Sequence, residues 1–133
     1  MIAGVADTHT ALWYLLKNPR LSSTARQFID TAAAAGHDIA LSSISLAEIV
    51  YLVEKNRLPV SAYDELKRAI ADPEFVMEEA ALTADIVDAM RLVSRDEVPD
   101  MPDRLIAATG VCLGAPVISR DGRIRAASLQ TIW

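Results

Sequence analysis

Residues 2–17 read IAGVADTHTALWYLLK: a short apolar run, one aspartate, then a stretch with helical character. IAGVA (2–6) is too short for a buried helix and fits a buried strand. Thr8 to Lys17 predicts a helix, ended by Asn18-Pro19 because a residue before proline is pushed out of the α region. A strand that passes within two residues into a helix is the opening of a strand–helix–strand unit, and the same alternation recurs downstream. LSSTARQFIDTAAAAG (21–36) predicts a second helix with a serine cap and Gly36 as its stop. DIALS (38–42) predicts a second strand, and a helix opening at Ser45 carries Leu46, Ile49, Val50, Leu52 and Val53 as far as about Asn56. Residues 61–71 predict a further amphipathic helix, broken by Pro73. EFVME (74–78) predicts a third strand. Thr83 to Val93 predicts a helix with Ile86, Val87, Met90 and Val93 on one stripe. After the polar connection SRDEVPDMP, a helix from Pro102 to Leu113 stops at Gly114. APVIS (115–119) predicts a fourth strand and LQTIW (129–133) a possible fifth. Apolar strands alternating with helices imply an α/β fold: a central, mainly parallel sheet of four to five short strands flanked by helices.

Composition agrees with that reading. The chain has 133 residues, 52% hydrophobic and 23% charged, which suggests a single domain spanning residues 1–133 with a sizeable core. Thirteen Lys and Arg against eighteen Asp and Glu give a formal charge of −5, which excludes a surface that is basic throughout. The lone Cys112 has no intramolecular partner and lies in an apolar run, so it reads as a small buried hydrophobe. No run of eighteen apolar residues predicts a membrane span, and the N-terminus reads directly into the fold rather than as a signal peptide. A cytoplasmic protein is expected.

Four acids fall where an open α/β sheet binds its ligands, at the carboxyl ends of strands and the first turns of the helices that follow. Asp7 follows the first strand, Glu48 lies early in the helix after the second, Asp103 opens the helix before the fourth, and Asp121 comes two residues after the fourth. Each has an ordinary explanation by itself. Asp7 caps a helix, Glu48 completes a Ser45-x-x-Glu48 capping box, Asp103 complements a helix dipole, and Asp121-Gly122 is a turn. Gathered at one edge they repel, and a cation would neutralise them. Oxygen ligands without His or Cys suit Mg²⁺ or Mn²⁺ rather than zinc.

The order and spacing of VADTHTALWYLL (5–16), LSSISLAEIVYLVEKNRL (41–58), PDRLIAATG (102–110) and VISRDGRI (117–124) resemble a PIN domain, more narrowly a VapC-type toxin of a bacterial toxin–antitoxin pair. The resemblance implies a three-layer PIN-like fold and a metal-dependent endoribonuclease that cleaves RNA. It places the family's acidic set on Asp7, Glu48, Asp103 and Asp121, with Ser119 at the small hydroxyl position of its Thr/Ser-x-Asp motif. Asp7 and Asp103 are then direct ligands of Mg²⁺ or Mn²⁺. Asp121 binds directly or through water, and Glu48 orients the attacking water. Asp100 is either an extra acid of the site or a solvated loop residue. Arg95, Arg104 and Arg120 are candidates for RNA backbone contacts. Trp13 and Tyr14 sit on an apolar stripe and read as core or partner-facing rather than base-stacking. The resemblance further implies a small antitoxin partner whose basic segment enters the acidic mouth, and a homodimer. Leu12, Trp13, Leu52 and Val53 are candidates for an exposed apolar partner surface, with ordinary core as the alternative.

Rival readings differ in class. A receiver-type phosphoryl-transfer domain needs an aspartate ending a middle strand and a late lysine, but the chain has only Lys17, Lys55 and Lys67. A haloacid-dehalogenase-like phosphatase needs an acid two residues after the first, where this chain has His9. The non-enzymatic alternative is a catalytically silent PIN-like module that binds protein or RNA.

Overall fold

The computed structural model describes residues 1–133. Its backbone alternates strand and helix: β1 (Ile2–Ala6), α1 (Thr8–Leu15), α2 (Ser23–Ala34), β2 (Asp38–Ser42), α3 (Ser43–Glu54) and α4 (Ser61–Ala71). There follow β3 (Met77–Ala80), α5 (Ala84–Ala89), a 3₁₀ turn (Met90–Leu92), α6 (Met101–Leu113), β4 (Val117–Ile118), α7 (Gly122–Ala126) and β5 (Thr131–Ile132). The five strands form one sheet in the order β3-β2-β1-β4-β5, and every pairing is parallel. From β1 the chain first winds outward to β2 and β3, then returns to place β4 on the other side of β1. That reversal leaves a crevice beyond the carboxyl ends of β1 and β4, the position where open α/β sheets bind ligands.

Alternate residues of each strand face opposite layers. Ala6, Ile39, Leu41, Met77 and Ile118 pack under α1, α2, α3 and α4 with Leu12, Ile29, Ile49 and Leu66. Val5, Ala40 and Val117 face α5, α6 and α7 with Ile86, Ile106 and Ile124. The expected three layers are thus present. α6 lies close against β4 because Gly110 has no side chain: a Cβ there would meet Val117 Cγ2 at 2.9 Å and the Ala115 carbonyl at 3.0 Å. Gly114 then ends the helix in the left-handed conformation, φ 63°, which a side chain would strain.

Several boundaries differ from the sequence reading. α3 begins at Ser43, capped by Ser42, whose Oγ accepts from the Ile44 N–H at 3.2 Å, so Ser45 is already inside the helix. This removes the expected Ser45-x-x-Glu48 capping box. β3 starts at Met77, because EFVME is held by a turn in which Phe75 N–H donates to the Asp72 carbonyl. α1 ends at Leu15, with Lys17 in the left-handed region at φ 54°. The helix expected from Thr83 to Val93 tightens into 3₁₀ geometry after Ala89, and Val87 is 48% exposed while Ile86 and Ala89 are buried. α7 follows where the sequence suggested only a turn. Cys112 is exposed, on the outer face of α6. Leu12 and Trp13 are buried, and Leu52 and Val53 are half-buried, so none of the four forms an open apolar surface. No helix is long and apolar enough to cross a membrane.

Candidate active site

At the crevice, strand ends and helix starts contribute the side chains. Asp7 leaves β1 and caps α1: its Oδ1 accepts the Thr10 N–H at 2.8 Å, while its backbone N–H donates to the Ile118 carbonyl of β4. Its Oδ2 accepts the Ser119 hydroxyl, and Ser119 Oγ in turn accepts the Asp121 N–H at 3.0 Å. The fully buried Ser119 therefore joins the end of β1 to the end of β4. Asp121 caps α7, its Oδ1 accepting from the Arg123 and Ile124 N–H groups at 2.9 and 3.0 Å. A single hydroxyl and two caps hold two acids from opposite ends of the sequence side by side.

Asp103 stands in the first turn of α6 and Glu48 in the second turn of α3. Together with Asp7 and Asp121 they line one cleft of about 360 Å³, whose remaining walls are Thr8, His9, Trp13, Arg20 and Arg120. All four acids that the spacing singled out share this cleft. Their mutual repulsion is visible in protonation. Burial pushes the Asp103 carboxyl up to about 7, with Asp121, Asp100, Glu48 and Asp7 all adding in the same direction. Glu48 is also raised, chiefly by burial, against the hydrogen bond from Thr8 and the charge of His9.

Other candidates are placed differently. Asp100 caps α6, accepting the Asp103 N–H at 3.2 Å; it acts on the cleft through its charge and does not line it. Arg104 is turned away, its Nε and Nη2 donating to the carbonyls of Val93 and Met90 at 3.0 Å each, where it fastens the 3₁₀ turn to α6. Arg95 is exposed outside the cleft lining. Arg120 is in the cleft, its guanidinium 4.7 Å above the Trp13 ring. His9 packs on the same ring at 5.4 Å. The sequence reading missed Arg20 and His9. Arg20 arrives through a loop in which its N–H is held by Asn18 Oδ1, a placement with no periodic signal.

The PIN domain family model matches residues 5–129. The chain belongs to the PIN domain family. Solved structures with the same fold include VapBC2 from Rickettsia felis bound to a DNA fragment from their promoter, at TM-score 0.71 and 20% identity over 98% of this chain and 97% of that one. A toxin–antitoxin complex from Klebsiella pneumoniae aligns at TM-score 0.60 and 20% identity, covering 93% and 91% of the two chains. FitAcB from Neisseria gonorrhoeae aligns at 0.59 and 21%, covering 98% and 96%. No curated protein sequence matches.

The donor set of this PIN domain fits a hard divalent cation: carboxylate oxygens, with the half-buried Asp103 among them made hard to ionise by burial and by like charges. No three acidic, His or Cys side chains are grouped tightly enough to hold one ion by themselves. An ion here would take fewer protein oxygens and keep waters, which is how magnesium is commonly bound.

Proposed function

We propose that this PIN domain is a Mg²⁺- or Mn²⁺-dependent endoribonuclease, the toxin of a VapC-type toxin–antitoxin pair. The observation that carries the reading is the gathering of Asp7, Glu48, Asp103 and Asp121 from four elements into one cleft at the sheet's switch point. Asp7 and Asp103 would hold the ion, with Asp121 reaching it directly or through one of its waters and Ser119 fixing Asp7. The chemistry a bound ion supplies is charge neutralisation at the phosphodiester and a more acidic water. Glu48 would orient a water and take up its proton as the water oxygen bonds to phosphorus and the P–O bond to the leaving oxygen breaks, the leaving oxygen taking a proton from solvent. Arg20 and Arg120 offset the acidity on the same wall and draw the RNA backbone in.

The neighbours from Rickettsia felis and Klebsiella pneumoniae are toxin–antitoxin assemblies, which supports an antitoxin partner for this chain. An acidic cleft favours a basic antitoxin segment as inhibitor. A homodimer belongs to the same reading. The spread of the acids favours a second one, a catalytically silent module.

Incubating purified protein with RNA and Mg²⁺ or Mn²⁺ separates the two. Cleavage is expected to fall by a hundredfold or more, on the order of one lost catalytic group, in Asp7→Asn. Equal cleavage by both proteins, or none with either metal, overturns the ribonuclease. Growth arrest on expression, relieved by a co-expressed small neighbour, is the expected cellular counterpart.

A further inference from the structure

We infer that Thr8 is a positioning residue that holds Glu48 in its working orientation, with Ser45 behind it. The inference rests on the ribonuclease reading of the same cleft. Thr8 Oγ1 lies 2.6 Å from Glu48 Oε1 and 3.0 Å from Ser45 Oγ. A hydroxyl carries one proton, and an ionised carboxylate only accepts. The Thr8 proton therefore goes to Glu48, and the Ser45 hydroxyl must donate to Thr8. The direction of the chain, Ser45 to Thr8 to Glu48, is set by its acceptor-only end. Each donor polarises the next, which strengthens the last bond.

Burial makes this arrangement specific. Thr8 is 3% exposed and Ser45 fully buried, so water does not replace either hydroxyl, whereas Glu48 is half-buried and reaches the cleft. With Oε1 held from behind, the second carboxylate oxygen is the one presented to the cleft. Loss of the capping-box role leaves Glu48 with no partner on its own helix end, so its rotamer depends on a residue of α1. Thr8 directly follows Asp7 and opens α1, so the element that carries Asp7 also orients Glu48. The first turn of α1 thereby couples Asp7 at the end of β1 to Glu48 in the second turn of α3.

Steady-state cleavage of a defined RNA tests this. Thr8→Val keeps the shape and removes the donor, and kcat is expected to fall by about 10- to 100-fold, the usual loss for an outer partner of a site group, with KM essentially unchanged. Thr8→Ser, which keeps the hydroxyl, recovers most of the loss. In a Glu48→Gln background Thr8→Val costs nothing further, because it acts through the group already removed; a merely structural role would give additive losses. Thr8→Ala carries the same test if the valine variant does not fold. Wild-type kcat in Thr8→Val beside a strongly slowed but measurable Glu48→Gln, or additivity in the double variant, overturns this inference alone. Wild-type cleavage by Glu48→Gln, or an inactive wild type, overturns the reading of the cleft and this inference with it.

Discussion

Asp103 titrates at about 7 against an ordinary 3.8, because burial and four neighbouring carboxylates all disfavour its charge. Its folded pKa is raised, so protonation favours the folded chain. That stabilisation is complete below the unfolded value and is lost as pH climbs through about 7. In the presence of a chelator the melting temperature is therefore expected to fall between about pH 4 and pH 7. Asp103→Asn should flatten that slope. An unchanged slope in the asparagine variant would remove Asp103 as its cause. The same residue sets the metal's pH dependence, since an ion must compete with its proton: Mg²⁺ or Mn²⁺ should bind more tightly at pH 8 than at pH 6, measured by calorimetry. Ser119 makes a second prediction at this scale. It gives its hydroxyl proton to the buried Asp7, and Ser119→Ala leaves that oxygen without its donor. A loss of about 1.5–3 kcal/mol in chemical denaturation is expected, typical of a hydrogen bond to a charged group. Of the candidate site residues, the four acids were legible in the sequence because Asp7, Asp103 and Asp121 sit at a strand end or helix start and Glu48 lies within two turns of one. Arg20 and His9 were not, since no periodicity says which face of α1 and its loop meets the cleft.

Among the elements, α6 connects fold to site, because it packs on β4 through Gly110 and carries Asp103 in its first turn. Gly110→Ala is expected to cost about 1–3 kcal/mol by overpacking against Val117 and the Ala115 carbonyl, and to lower activity by displacing Asp103. A stability equal to wild type in thermal melts would show that the helix can shift without penalty. α3 shows where local rules misled. Ser42, Ser43 and Ser45 are all capping residue types, and the Glu three residues after Ser45 favoured the wrong one. Strand β2 pairs with β1 as far as Leu41 and with β3 as far as Ser42, so the helix begins as soon as the strand ends. The capped start at Ser42 moves Glu48 one turn deeper, out of reach of its own helix terminus and onto Thr8. The edge strands β3 and β5 were read with shifted or generous limits, since edge pairing is decided by which residues of the neighbour are free.

For the whole molecule, the formal charge of −5 opposes RNA everywhere except where a cation and arginines are concentrated. With Arg20 and Arg120 as the cleft's two fixed positive charges, RNA affinity should be weak and only mildly salt-dependent. A slope of log K against log salt of about −1.4 follows from about 0.7 per phosphate contact on a single strand. Arg120→Ala should reduce that slope by about half, and a steep slope in the variant would point to a basic surface elsewhere.

The sequence by itself determined the alternation of strands and helices, the parallel sheet class and the four acids at element junctions, because burial periodicity, caps and breakers are local. Only the tertiary structure decided the strand order and the reversal beside β1. It alone placed four acids and two arginines on one cleft, turned Arg104 and Asp100 to structural duties, and aimed Thr8 at Glu48. Those outcomes depend on which distant surfaces bury each other, and packing of the two layers against the sheet is a property no single segment carries.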